Sequence, residues 1–263
     1  MNLQRRNHYV AECLQEGFTD ANGLVWVKFS DKPEPEHRNP RSVGRQRSLY
    51  IREVNGKPDD GVEKFLSHSV ETPFAALARR VKDEREKFNQ ISTPEQCALL
   101  LFVATQTVRT LAHKHCVDVQ AGRAVDNRTF LRTMLRQMHT MADLWLKHPP
   151  TLRFFTSLPY IGEHFIAGDH PVLVIQVRDN PVWIPTDEPK AQITQLNDIL
   201  TGPNYGFWLP LSPYVCVSIQ PKSDTRSYLP PEPLDPRQVR QMNQLLRDQC
   251  KKFILARDKH SLN

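Results

Sequence analysis

The chain lacks long hydrophobic runs. Its longest apolar segment, residues 98–104, has the length of a core segment and falls short of the roughly 18–20 residues that cross a membrane. The first ten residues include Arg5 and Arg6 with no apolar run behind them, so we expect no signal peptide. These two absences predict a cytoplasmic protein that does not insert into a membrane.

Cysteine is also scarce. The chain has five cysteines, an odd number, and no two of them form a CxxC pair. This pattern argues against a disulfide framework and against a structural zinc site. Cys97 and Cys216 lie in apolar runs, so we expect both to be buried thiols.

Several signatures of common enzyme classes are missing. The sequence contains no GxSxG, Walker loop, GxGxxG or HExxH pattern. Each pattern places a nucleophile, a phosphate or a metal by a known geometry, so those classes lose their sequence support. No cofactor is indicated either, and the cofactor is therefore left as unknown.

The composition is that of an ordinary globular protein. Of 263 residues, 39% are hydrophobic and 24% are charged, which is sufficient apolar content for a core and argues against disorder. The net charge of +6 favours anionic partners mildly, either nucleic acid or a small anionic ligand. A solvated basic surface is the alternative explanation.

Four helical segments are predicted. Residues 62–87 carry apolar side chains at helical spacing, and Pro73 either starts a second helix there or kinks a single one. Thr93 is the expected N-cap of the next helix, which is apolar on all sides and should be the buried central one. Asp126 is expected to cap a third helix that ends near Lys147. A fourth helix spans residues 236–256, with Asp235 and Pro236 as its start signal.

The second half of the chain is rich in predicted strands. Asn22-Gly23 precedes a hairpin strand at residues 24–29, and later strands are expected at 152–156, 163–167, 172–177 and 215–219. We therefore predict an α+β fold, in which a helical layer with a buried central helix packs on a mostly antiparallel or mixed sheet. The predicted domain is single and covers residues 1–263. Its parts are an irregular N-terminal part with a hairpin (1–60), a helical part (62–148), a strand-rich part (152–220) and a C-terminal helix (236–257).

Polar residues near the end of the central helix are the first candidate site. Gln106, Arg109 and His113 are spaced i, i+3 and i+7, so they are expected to share one helix face. A buried arginine requires a carboxylate opposite, and Glu71 is the candidate. A structural ion pair is the alternative to a functional site.

A turn between two apolar strands is the second candidate. It contains Asp169 and His170, and a carboxylate at the end of a core strand can serve as a base or as a metal ligand. With His8 and Glu71, Asp169 makes a metal site with nitrogen and oxygen ligands conceivable. Ordinary turn chemistry for Asp169 and a structural role for His8 are the alternatives.

The order of these motifs resembles a bacterial family catalogued as domain of unknown function 4238, which opens with a His-x-x-Pro signature. The resemblance covers nearly the whole chain, and it departs from the family at Ala11 for proline, Gly168 for serine and His170 for asparagine. It implies a fold and a set of residues, and it implies no reaction. The matching positions are Asn7-His8-Tyr9-Val10, Leu14, Phe18, Tyr50, Glu71, Gln106-x-x-Arg109, Phe165-Ile166-Ala167-Gly168-Asp169-His170-Pro171, Pro210-Leu211-Ser212-Pro213 and Asn243.

These residues support the hypothesis of one pocket between the central helix and the sheet. Its expected members are His8, Glu71, Gln106, Arg109 and Asp169.

The first functional hypothesis is a hydrolase of a phosphodiester or another anionic substrate, similar to a nuclease. Asp169 or Glu71 is then the base or a metal ligand, His8 the acid or a ligand, and Arg109 stabilises negative charge. The expected substrate-binding residues are Gln106, His113 and His170.

Two alternatives remain open. One is a binding or regulatory protein for nucleic acid or a small anionic ligand, which would use the arginine stripes of the third and last helices. The other is a buried ion-pair network that only holds the helix against the sheet.

Overall fold

The computed structural model describes residues 6–83, 91–157, 162–176, 182–184, 205–220 and 228–262. In its N-terminal part the elements are β1 (Arg6–His8), α1 (Glu12–Glu16), β2 (Val25–Phe29), β3 (Glu36–Arg38), β4 (Arg45–Arg47), β5 (Arg52–Val54), β6 (Lys57–Asp59), α2 (Gly61–Phe65), a π-helical segment (Leu66–Glu71) and α3 (Thr72–Asp83). The later elements are α4 (Thr93–Val108), α5 (Leu111–Gln120), α6 (Asn127–Lys147), β7 (Thr151–Ser157), β8 (Ala167–Gly168), β9 (Leu173–Gln176), β10 (Val182–Ile184), β11 (Tyr205–Ser212), β12 (Val215–Gln220), β13 (Tyr228–Leu234), α7 (Pro236–Gln249) and β14 (Phe253–Ala256). Two 3₁₀ helices, Pro40–Ser42 and His260–Leu262, complete the described elements.

The main sheet has the strand order β10-β9-β11-β12-β7-β13. All neighbours pair antiparallel except β13 and β7, which are parallel. The sheet is thus mixed, mostly antiparallel and built from the second half of the chain, which confirms the predicted α+β class. A second sheet has the order β3-β2-β14-β8, and β1-β4 and β5-β6 form two-stranded sheets.

Alternation along the strands places helices on both faces of the main sheet. Phe154 and Val217 belong to the larger apolar cluster with α3, α4 and α6, whereas their neighbours Phe155 and Cys216 belong to a smaller one with α7. Trp145 of α6 meets the Phe207 ring edge-on at 5.4 Å. Among the described residues, no helix is long and apolar enough to span a bilayer.

The helix predicted over residues 62–87 continues through Pro73 with a widened turn before it. The π-helical segment lies between α2 and α3, and Thr72 keeps helical dihedral angles. Proline has no N–H to donate and its ring crowds the preceding turn, so a wider turn accommodates it. The predicted apolar stripe is buried along its whole length, at Val62, Leu66, Val70, Phe74, Leu77 and Val81.

Two predictions at the start of α4 were wrong: that Thr93 is its N-cap and that Cys97 is buried. Ser92, not Thr93, is the N-cap, because the Glu95 carboxylate accepts hydrogen bonds from the Ser92 backbone N–H (2.7 Å) and hydroxyl (2.8 Å). The buried half of α4 is its C-terminal half, and Cys97 near its start is exposed. Cys216 is buried as predicted.

Two predicted element boundaries also differ. The last helix begins after Asp235 as expected but ends at Gln249, because residues 253–256 pair as β14 with β2 and β8. The predicted strand at 163–167 is reduced to β8, whose short pairing partner is the same β14. The strand expected at 24–29 is present as β2, and its hairpin partner is β3.

Candidate functional site

The junction between α4 and α5 separates residues that the sequence placed on one face. Arg109 is the C-cap of α4, and Thr110 starts α5 as its N-cap, with the Thr110 hydroxyl accepting a hydrogen bond from His113 N–H at 3.2 Å. A Thr cap needs extended backbone, so the helix cannot run through it. The predicted shared face of Gln106, Arg109 and His113 was therefore wrong.

Arg109 is completely buried and is the centre of a polar cluster. Its guanidinium donates to Glu71 Oε1 at 2.5 Å and to the backbone carbonyl of His8. The Tyr50 hydroxyl lies 3.4 Å from Arg109 Nε and donates to the Arg109 carbonyl at 2.9 Å. Burial opposes the charge, but Tyr50 and Glu71 outweigh it and raise the pKa of Arg109. Glu71 is thus the carboxylate that the buried arginine required.

Gln106 fixes the N-terminal segment beside Arg109. Its side-chain amide donates to the Tyr9 carbonyl at 2.8 Å and accepts from the Ala11 N–H at 3.3 Å. Ala11 stands where the family motif has proline, which has no N–H to offer. Two side chains at the end of α4, Gln106 and Arg109, therefore hold the backbone of residues 8–11.

The His8 side chain lies at the edge of this cluster. Its residue is only 7% exposed, and Arg45 Nε donates to His8 Nε2 at 3.1 Å. Burial and then the charge of Arg45 lower the pKa of His8, against the opposing charges of Glu12 and Glu71. Because arginine only donates, Nε2 is the acceptor and the neutral ring carries its proton on Nδ1.

Glu63 of α2 is a member of the cluster that the sequence analysis missed. It is 6% exposed, and burial raises the pKa of its carboxyl to about 7, with Arg109 lowering it and Glu71 raising it. Asn7 bonds to this carboxyl, and within the described part of the chain Glu63 Oε2 has no hydrogen-bond partner. The sequence does indicate this position. Glu63 precedes Leu66 by three residues and is therefore expected on the helix face that carries the apolar stripe.

Asp169 does not bond to the Arg109 cluster. Its carboxylate accepts from the backbone N–H groups of Lys251 and Lys252, both at 3.1 Å, and from Phe253 at 3.5 Å. Burial raises the pKa of Asp169, and those backbone N–H groups counteract the rise. Tyr9 contacts both regions, because its carbonyl accepts from Gln106 and its ring lies 6.4 Å from that of Phe253; burial and then the charge of Asp169 raise the pKa of Tyr9. Arg109 and Gln106 thus bond to Glu71 and to the backbone of the segment that carries His8, whereas Asp169, the fifth predicted member, bonds elsewhere.

The two remaining predicted histidines are held inside the fold. His170 Nδ1 lies 3.0 Å from the Thr110 hydroxyl, and its carbonyl accepts from Gln249 at 2.7 Å. His113 Nε2 lies 2.7 Å from Gln137 Oε1. Burial lowers the pKa of His113 to about 4, and its hydrogen bond to Gln137 opposes that shift. His113 is neutral at neutral pH and is directed into the helical layer.

A metal set is not assembled from the residues considered. In the described ranges, no three His, Cys, Asp or Glu side chains are grouped to hold an ion. The idea that His8, Glu71 and Asp169 share a metal was therefore wrong. The reason is the commitment of the Asp169 oxygens to the backbone of residues 251–253.

Comparison with known proteins gives a family and no activity. The family described as "Protein of unknown function (DUF4238)" matches residues 6–260. No curated protein and no solved structure matches the chain significantly.

Proposed function

We propose a function for this chain, which belongs to the DUF4238 family over nearly its whole length: hydrolysis of an anionic substrate such as a phosphodiester. One observation carries the proposal. Glu63 is a buried carboxyl whose Oε2 has no hydrogen-bond partner among the described residues, and burial raises its pKa to about 7, although the charge of Arg109 acts to lower it. Groups with displaced pKa values near a neutral base are typical of acid–base sites.

His8 is the proposed general base. In the free protein its Nε2 is occupied by Arg45, which keeps the ring neutral. An anionic group of the substrate competes for the Arg45 guanidinium, which recognises phosphate and carboxylate by paired N–H donors. When Arg45 turns to the substrate, His8 Nε2 becomes available to accept a proton.

The proposed step is the addition of water to the substrate centre. His8 Nε2 takes a proton from water as the water oxygen forms its bond to phosphorus. The bond to the leaving oxygen breaks, and that oxygen takes the proton of Glu63. His8 ends as imidazolium and Glu63 as carboxylate, and exchange of one proton with solvent restores both. Arg109 and Arg45 stabilise the developing negative charge.

Gln106 and Asp169 act as positioning residues in this proposal. Both ends of the Gln106 amide are hydrogen-bonded to the backbone, at Tyr9 and at Ala11, so Gln106 fixes the segment that carries His8. Both Asp169 carboxylate oxygens accept hydrogen bonds from backbone N–H groups just before β14. Neither side chain has hydrogen-bonding capacity directed at a substrate in this arrangement.

A purely structural network is the competing explanation, and Arg109 itself favours it. All three nitrogens of its guanidinium have partners inside the protein. That explanation accounts for Arg109 and Glu71. It does not account for the buried Glu63 oxygen that has no partner in the described part of the chain, because an unsatisfied buried polar atom is destabilising.

The test is hydrolysis of bis(p-nitrophenyl) phosphate by the purified full chain, with and without added divalent cations. We expect His8→Ala and Glu63→Gln each to reduce kcat/KM by about 100-fold or more while the proteins remain folded by circular dichroism. The pH profile of kcat/KM should rise as His8 loses its proton, at a pH below 6.5, and fall through about pH 7 as Glu63 loses its own.

The matched control is His139→Ala, which removes an exposed histidine from α6. It should leave the rate unchanged. Equal rates for Glu63→Gln and wild type, or a profile without the limb near pH 7, would refute the assignment of Glu63 as the acid.

A further inference from the structure

A cleft of about 380 Å³ lies between β2, β14 and the C-terminal end of α7. Its charged lining is of one sign. Among the described residues that line it, four carry positive side chains and none is acidic: Lys28, Lys32, Arg247 and Lys251. Phe29 and Phe253 supply apolar wall. It shares no residue with the His8 and Glu63 cluster.

The fold places these cations by backbone pairing. Lys28 of β2 stands opposite Ile254 of β14, and Phe29 stands opposite Phe253. Asp169 holds the backbone N–H of Lys251 at 3.1 Å, so the base of that side chain is fixed. The motif carboxylate that the sequence suggested as a catalytic base thus shapes one wall of this cleft.

Arg247 is fixed by a different contact. Its guanidinium donates to the Ser261 carbonyl at 2.7 Å, and the side chain is half-buried. Burial lowers the pKa of Arg247, although Glu163 and Asp248 act to raise it. An anion in the cleft would favour the charged form of Arg247, as Glu163 and Asp248 do.

Lys32 lies at the rim of the cleft, where it is exposed to solvent. It pairs with Glu36 at 2.6 Å, and its ammonium lies 5.1 Å from the centre of the Phe29 ring. The ring face of Phe29 is therefore already covered by a cation, which disfavours stacking of a base as the main interaction. The lining is suited to negative charge rather than to an aromatic group.

We propose that this cleft binds a small polyanion that carries phosphate groups. Several cations around one cavity match a ligand with several charged oxygens, and a volume of about 380 Å³ is that of a small-molecule site. Inorganic polyphosphate and nucleoside polyphosphate share this chemistry. The site is independent of the proposed hydrolase centre, so either can fail without the other.

The experiment is calorimetric titration of the full chain, at low ionic strength, with tripolyphosphate and separately with ADP, inorganic pyrophosphate and a single-stranded oligonucleotide. We expect saturable binding of tripolyphosphate that weakens as salt is added. Lys28→Met and Lys251→Met should each weaken it by about tenfold, the loss of one charge-assisted contact. Comparable affinity for ADP and inorganic pyrophosphate supports recognition of the phosphates alone, whereas tighter ADP binding supports a nucleotide.

Lys57→Met is the matched control, because it removes the same charge from an exposed position on β6. Its affinity should stay within about twofold of wild type, since only long-range charge is lost. An equal loss in Lys57→Met and Lys251→Met would overturn the site, because binding would then follow net charge. Absence of tripolyphosphate binding would overturn it too, as would binding of only a single-stranded oligonucleotide.

Discussion

Replacement of Glu63 by glutamine should change how the stability of the protein depends on pH. The carboxyl has a pKa of 4.5 in an unfolded chain and about 7 in the fold, because burial disfavours its charged form. Between these values the folded protein keeps the proton and the unfolded chain loses it. Stability therefore falls as pH rises from 4.5 through 7. At about 1.4 kcal/mol per pKa unit, the loss is roughly 3 kcal/mol.

Glutamine is uncharged at every pH, so the variant lacks this contribution. Urea unfolding followed by tryptophan fluorescence, at several values from about pH 4.5 to about pH 8, measures it for both proteins. The stability of Glu63→Gln relative to wild type should increase by roughly 3 kcal/mol across that range. Glu53→Gln, on exposed β5, is the control and should give a flat difference.

A flat difference for Glu63→Gln as well would refute the buried protonated carboxyl, and with it the proposed acid.

The measurement also tests the domain organisation. We propose that residues 1–263 form one domain, and then urea should produce a single cooperative transition.

Three further substitutions test the packing. Arg109→Met leaves the Glu71 carboxylate without its partner and should cost about 3–5 kcal/mol in urea unfolding, whereas a loss below about 1 kcal/mol would contradict the clamp. His113 has a folded pKa of about 4 against 6.5, so wild type loses stability as pH falls from 6.5 through 4, and His113→Gln should lose less over that window. Gly168→Ala places a Cβ against Cys250 Sγ and 2.7 Å from the Phe253 carbonyl oxygen, so it should lower stability by about 1–3 kcal/mol, and an unchanged unfolding midpoint would show that the cleft wall relaxes freely.

Local patterns were sufficient for the α+β class and for most element cores. The periodic stripe from Val62 to Val81 is buried as predicted, and Asp126 and Asp235 cap the helices that they were expected to cap. These signals depend on neighbours a few residues apart, which the sequence displays directly. The need for a carboxylate opposite Arg109 was also readable, because a buried charge requires a partner.

The errors arose where distant segments compete with local preference. Residues 250–256 have a helical pattern, but pairing with β2 and β8, together with the Asp169 carboxylate, makes the segment from Phe253 a strand. His113 left the expected face because Thr110 caps a new helix. Asp169 was assigned to the Arg109 site because its chemistry suits it, and only the tertiary structure decides which donors reach it.

The sequence by itself determined most of the helical and extended segments and the need of a buried Arg109 for a carboxylate, since both follow from side-chain chemistry and short-range spacing. Only the tertiary structure decided that Glu71 and Glu63, eight residues apart, differ in burial and in hydrogen bonding near Arg109. The Glu71 carboxylate accepts a hydrogen bond from the Arg109 guanidinium, whereas burial raises the pKa of Glu63 to about 7 and its Oε2 has no partner among the described residues. The tertiary structure produces this difference because it removes the Glu63 carboxyl from water and places the Arg109 guanidinium against Glu71.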